Sequence, residues 1–380
     1  MNKVVSISSK NKFSGETLKK SRLFRGYTLE EVAESVSVSQ QMLSKYEKNI
    51  SVPTVEVISE ISKKLNFPIS YFYVQSEIAN VEAGFYRKGS SVSKRSKQKV
   101  AELATYAADI LEEIKKVITL PSYKDPIEIK RTTEYSPISF NYIEDVAQSI
   151  RNKFSFGIGP IINLTGFLES LGIFIVFTNL ESDKIDAYTI DINGAPIILI
   201  NSIRTSSSRI RFNLAHEFAH ILFHRDYEKK YNNGGKFMTI ENEANFFASC
   251  FLLPEEGLAS DLVYSNMQHL ITLKSHWRVS IAAIITRANY CELFSDSHTL
   301  HLRQVLSRNG WRKKEPLDDE LAIEYPVIIN QALKIYADKL NVNALERIAT
   351  NLRVFPDFIS EVLYNKPIEP TKDVTLKLIR

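Results

Sequence analysis

The sequence predicts an α+β fold that is mainly helical, with a small bundle at the front, a small sheet in the middle and helices again behind it. Three observations carry this expectation. Short apolar repeats of helical period, broken by turn residues, run through residues 13–75. Two β-branched runs with breakers at their ends, "GIFIVFTNL" and "APIILINS", read as strands within 131–260. From 261 to 380 the pattern is helical again, punctuated by Gly310 and several prolines.

The 380 residues exceed one ordinary core, so two or three domains are expected. Four zones are expected: a bundle at 13–75, a basic linker and helix at 76–130, a mixed part at 131–260, and a helical part at 261–380 that completes or caps it. No apolar run approaches the ~20 residues of a membrane helix. The first residues lack a secretory h-region. Cys250 and Cys291 form no Cys-x-x-Cys pair, which excludes a disulfide framework and fits a cytoplasmic location. Residues 1–75 carry 11 basic against 7 acidic side chains, and 131–260 carry 11 against 15, so the two parts suit different partners.

In the front zone, Thr28 precedes "LEEVAESV" with Glu31 three residues on, a capping box. Leu29, Val32, Ala33 and Val36 form its apolar stripe. Ser39 then caps "QQMLSKYEK", in which Met42, Leu43 and Tyr46 are expected to face inward. Gln40, Gln41, Ser44 and Lys45 remain on the outer face. A helix-turn-helix presents such residues of its second helix to DNA. Gln suits adenine, and Lys and Ser suit phosphates. Residues 27–73 resemble the XRE/Cro-C1 family of phage-type repressors. The resemblance lies in the "T-LEEVA" helix, the "S-QQ" start, the Tyr-Glu pair and Pro53. Asn49 stands where that family often has Gly, and Asn tolerates the left-handed conformation. The resemblance implies a double-stranded DNA operator bound by a homodimer.

After the front bundle, an apolar helical pattern from Val100 to Ile118 is closed by Pro121 and Pro126. The chemistry-bearing stretch is "RFNLAHEFAHILFH", 211–224. His216 and His220 lie one helical turn apart and can share one metal ion, with Zn2+ suiting two imidazoles and a carboxylate. Glu217 can serve a water at that ion as general base. The surrounding helix is apolar almost all round, and a buried helix does not carry two His and a Glu without partners. His224 continues the series but drifts ~40° from His220 on an α-helix, so it is expected to be an ordinary helix-end histidine. A third ligand is sought in "TIENEANFFASCFLLP", 239–254. Glu241 is preferred because Asn245 lies one turn on and can hydrogen-bond a ligand histidine; Glu243 is the alternative, otherwise a surface charge.

These two stretches resemble the ImmA/IrrE family of zinc metallopeptidases, whose pattern R-x-F-T-L-A-H-E-x-x-H is followed by E-x-x-A-N-x-F-A-x-x-L-L-x-P. Asn213 replaces the usual Thr, and Phe218-Ala219 a smaller pair. With flanking segments the resemblance covers roughly 85–320. It implies a zincin-like fold, His216, His220 and Glu241 as ligands, Glu217 as catalytic base, and regulatory cleavage of a partner repressor. Two other functions compete: a transcription factor whose peptidase-like part senses a ligand or protein, and one half of a toxin–antitoxin pair. Tyr264, His269 and His276 are candidates for the oxyanion donor by residue type alone.

Overall fold

The computed structural model describes residues 12–73, 85–86, 93–129, 134–180, 185–192, 194–201, 206–225 and 235–363. The front bundle contains α1 (Gly15–Phe24), α2 (Leu29–Ser35), α3 (Gln40–Glu47) and α4 (Val55–Leu65), followed by a 3₁₀ turn, Ile69–Tyr73. Its helices start where local chemistry says they should. Thr28 and Glu31 cap each other's backbone N–H at 3.1 and 2.6 Å, and Ser39 Oγ accepts from Met42 N at 3.1 Å. Asn49 adopts φ +57°, and its Oδ1 accepts from Gly15 N at 2.7 Å. Gly15 is required there, since a Cβ would lie 2.0 Å from the Tyr46 carbonyl oxygen. Leu43 and Tyr46 are buried as expected. Met42 is not: it is 36% exposed.

β1 (Phe85–Tyr86) is followed by α5 (Lys94–Lys115), then α6 (Phe140–Lys153) and α7 (Leu164–Ser170). α5 corrects the expected linker. It starts six residues before the apolar pattern, and its first turns are the basic stretch "KRSKQK" itself. It packs on α1 and shares one core with the front bundle, so 94–99 are not a free tether. Residues 76–84, 87–92 and 130 of the expected linker and helix lie outside the described residues.

β2 (Phe174–Thr178), β3 (Ala187–Ile192) and β4 (Ala195–Asn201) complete a sheet of order β1-β3-β4-β2. β2 and β4 match the two runs read as strands. β3, "AYTIDI", was not singled out, because it lacks a continuous aliphatic run. β3 and β4 form an antiparallel hairpin, while β2 runs parallel to β4, pairing Phe174 with Ile197 and Thr178 with Asn201.

The sheet is the wall between two cores. Val176, Tyr188, Ile190, Ile197 and Leu199 point to one side, and Ile175, Phe177, Ala187, Ile198 and Ile200 to the other. This is the period-2 alternation of a strand with both faces buried. The first side meets α5, which joins it to the core of the front bundle. The second meets α8 (Ser207–Ala219), on which α9 (Gly235–Leu252) packs in turn.

The remaining helices are α10 (Glu255–Asp261), α11 (Met267–Trp277), α12 (Ile281–Tyr290), α13 (Asp296–Arg308), α14 (Ile328–Leu340), α15 (Ala344–Leu352) and α16 (Pro356–Leu363). α11 to α13 belong to the second core. α14 to α16 cross to the first, where Phe358 packs 5.0 Å from the Phe24 ring and Glu361 pairs with Arg25 at 2.7 Å.

Candidate functional site

α8 and α9 pack along each other behind the sheet, and every side chain of the expected site lies between or beside them. His216, Glu217, His220 and Glu241 are 0, 0, 1 and 8% exposed, so their polar atoms must find partners inside the protein. Ligand atoms of His216, His220 and Glu241 all lie within 4.8 Å of one another. Glu241 Oε1 stands 3.3 Å from His220 Nε2, and Oε2 stands 3.6 Å from His216 Nε2.

After Ala219 the helix widens into a single π turn, His220–His224. That widening changes the angular placement of His224 from the α-helical one that made it look peripheral. His224 is fully buried, with Nδ1 3.0 Å from His220 Nδ1 and Nε2 3.0 Å from Glu243 Oε2. Glu243 is no surface charge either: it is 1% exposed and accepts from Tyr135 Oη and Ile138 N, both at 2.8 Å.

These bonds set the tautomers. Burial pushes the His224 imidazole down to about 4, so it is neutral at pH 7 and carries one N–H. Its Nε2–H donates to the Glu243 carboxylate, which leaves Nδ1 as an acceptor for the Nδ1–H of His220. His216 donates its own Nδ1–H to Asn245 Oδ1 at 3.0 Å. The two Nε2 atoms face each other at 3.1 Å, with the Glu241 carboxylate beside them, so the three groups converge on one point where they could share a cation. Glu241 Oε1 is buried and receives no hydrogen bond among the described residues. The donor set, two imidazoles and a carboxylate, fits Zn2+. The outer nitrogens are held as ligand histidines usually are.

Glu217 follows His216 on α8, and its Oε2 accepts from Thr189 Oγ1 at 2.6 Å. Thr189 belongs to β3, between Tyr188 and Ile190, so strand alternation turns it toward α8. Nothing in the sequence singled it out, because an isolated Thr in a short strand carries no motif. An open cavity of about 490 Å³ reaches Asn245 and is also lined by Arg209, Asn213, Asn242 and Tyr290. Tyr264, His269 and His276 lie elsewhere. His269 Nε2 bonds the Asp261 carbonyl at 2.9 Å, His276 stands 3.3 Å from the Asp261 carboxylate, and Tyr264 packs on the His269 ring.

At the other end of the molecule Gln40, Gln41 and Lys45 are exposed on α3 and Ser44 is half-buried. Beneath them Arg22 Nη2 binds Glu47 Oε2 at 3.0 Å and Arg22 Nη1 donates to the Tyr27 carbonyl at 2.7 Å, fixing α3 on α1. Glu47 is the acid of the Tyr-Glu pair.

Comparison with known proteins agrees with this two-part layout. Residues 18–72 match a helix-turn-helix family model, and residues 168–289 match the peptidase model described as an IrrE N-terminal-like domain. The chain is also 43% identical over 61 residues to the HTH-type transcriptional regulator SutR of Escherichia coli (strain K12). That match covers 16% of this chain and 34% of the regulator, so the chain spans about a third of that relative's length. No described helix is long and apolar enough to cross a membrane. This polypeptide joins an XRE-type helix-turn-helix domain at 18–72 to an ImmA/IrrE-like metallopeptidase-family domain at 168–289.

Proposed function

We propose that the chain is a DNA-binding zinc metalloendopeptidase of the cytoplasm that switches transcription by cleaving a partner repressor. In this reading the unit at 13–75 binds a double-stranded operator through Gln40, Gln41, Ser44 and Lys45. It acts as a homodimer, since one reading helix covers only a short half-site. Residues 131–260 carry the hydrolytic centre, with 261–380 around it. One observation carries the enzymatic part: two imidazole Nε2 atoms and the Glu241 carboxylate converge, and Glu217, next to His216 on α8, is separately anchored by Thr189.

His216, His220 and Glu241 would hold Zn2+, which supplies Lewis-acid polarisation of the scissile carbonyl and of a water molecule. Glu217 stands outside that donor set. The Thr189 hydroxyl donates to its Oε2 and so orients the carboxylate. Oε1 is then the atom that accepts the proton of the attacking water and later returns it to the leaving amine. Asn245 and the His224–Glu243 pair keep both imidazoles in the tautomer that turns Nε2 inward. The cavity at Asn245 offers room for a peptide.

The test is Glu217→Gln, which keeps the shape and removes the base. Zinc content and operator binding are expected to persist. Cleavage of co-expressed candidate repressors, followed on a gel, is expected to fall at least ~100-fold. Undiminished cleavage in a zinc-loaded variant would remove Glu217 from the mechanism. A second reading, a transcription factor whose peptidase-like domain senses a ligand or protein, is favoured by the sheet acting as a wall common to both cores. Normal switching in a Glu217→Gln strain would select it.

A further inference from the structure

We propose that the DNA-binding face extends beyond the helix-turn-helix onto the first turn of α5. There Lys94 and Arg95, with Lys19 across a common cavity, take phosphodiester groups that flank the bases read by α3. The inference rests on residues 18–72 binding DNA.

The observation is a juxtaposition. One cavity of about 310 Å³ is lined by Lys19 of α1, Thr28 before α2, Gln40 at the start of α3, and Lys94 and Arg95 of α5. Helix-turn-helix docking brings the start of the second helix to base edges in the major groove, while the first crosses the backbone. Side chains sharing a cavity with Gln40 and Thr28 therefore lie beside the sugar-phosphate chain, which carries one charge per ~1.7 Å of duplex axis.

The position of α5 is set by contacts. Arg95 Nη1 meets Glu31 Oε1 at 3.2 Å, and Glu31 is the residue whose other oxygen caps Thr28. Gly26, at φ +69°, lies against α5: a Cβ there would be in ordinary contact with Lys99 Cδ at 3.4 Å and Arg95 Nε at 3.7 Å. The basic turn is thus docked against the capping box of α2.

Its charge is arranged against the interest of the helix. Residues 94–99 hold four cations, and the first turn of α5 has no acid. The N-terminus of a helix is already its positive end, so such a turn favours an anion and disfavours Lys and Arg. Ser93 caps Ser96 N at 3.0 Å, so the helix start is well formed despite the repulsion. Glu31 offsets part of the Arg95 charge, while Lys94 and Lys19 are exposed. An external polyanion resolves the conflict, and the reading helix beside it identifies that polyanion as the duplex already engaged by α3.

The experiment uses the full chain and two fluorescein-labelled duplexes of equal length. One carries the site that the chain selects from a randomised pool; the other has random sequence. Anisotropy titrations from about 50 to 300 mM KCl give affinity and the log–log salt slope. Lys19→Ala with Lys94→Ala is expected to weaken both duplexes by the same factor, roughly tenfold, and to flatten the slope by about 1.8, or ~0.9 for each lost phosphate contact. Gln41→Ala is expected to reduce the preference between duplexes and keep the slope. Unchanged slope and affinity in the double variant, with preference still reduced in Gln41→Ala, would overturn the extended interface alone. Wild-type chain that binds neither duplex would overturn the DNA reading and this inference with it. If the double variant melts early, Lys94→Arg against Lys94→Gln decides: equal affinity for the two overturns the proposal.

Discussion

The reading helix and the metal-site helix solve opposite problems. On α3, Gln40, Gln41 and Lys45 are exposed, and the fold beneath them is held by other residues: Leu43, Tyr46 and the Arg22–Glu47 pair. On α8, the residues that would do chemistry are the core itself, with His216, Glu217 and His220 at most 1% exposed. A surface used for recognition can change without cost to the fold. A buried polar centre cannot, because each group depends on the next for its hydrogen bonds. Function and stability are separable in the first region and coupled in the second.

His220→Ala against Gln41→Ala is the sharpest test of that contrast. His220→Ala is expected to lose most of the zinc and to lower the melting temperature by roughly 5 °C or more, since His224, His216 and Glu241 would be left buried without their partner. Gln41→Ala is expected to alter DNA preference and leave the melting temperature within about 1 °C. Metal analysis and melting curves on both variants decide it. Full zinc in the His220 variant, or a large loss of stability in the Gln41 variant, breaks the comparison.

A smaller effect is expected one step out from the ligands. His224 reaches His220 and Glu243 through imidazole nitrogens that set a tautomer. His224→Ala is therefore expected to weaken zinc binding about 10- to 100-fold in a competition titration against a chelator, without abolishing it. Unaltered affinity would mean that His220 keeps its orientation by packing alone.

The same contrast explains what was legible in the sequence. The front bundle is specified by signals a few residues long, such as Thr28 with Glu31, Ser39, and Asn49 in its left-handed turn, and these could be read directly. His216, Glu217, His220 and Glu241 could be read because they form a spaced motif on apolar helices. Among their supports, Asn245 could be read one turn beyond Glu241. Thr189 and Tyr135 could not, because they reach the centre from distant segments and their pairing is a product of tertiary packing. His224 did sit at a suggestive spacing, but the π turn that brings it to His220 leaves no mark in the composition. The junction was also misread. A run of Lys, Arg and Ser resembles a solvated tether, and only the packing of α5 on α1 makes it the start of a docked helix.

That junction yields the smallest and most specific test. Glu102 lies on α5 facing α1, where burial outweighs the opposing pull of Lys20 and Lys19 and pushes its carboxyl up to about 7. Its unfolded-state pKa is near 4.5. Between these values the folded chain keeps a proton that the unfolded chain has released. Stability from this group is thus fully present below pH ~4.5 and lost as pH rises through about 7. Glu102→Gln removes the ionisation and should escape that loss. Its melting temperature is expected to equal wild type near pH 4.5 and to exceed it by a degree or two at pH 8, a small shift because stability changes are diluted in a long chain. The sign matters more than the size. A detached front module would leave Glu102 in water with an ordinary carboxyl, and the difference between variant and wild type would then not grow with pH. A difference that is flat or reversed would show the joint to be wet, and would return the basic stretch to the role of a tether.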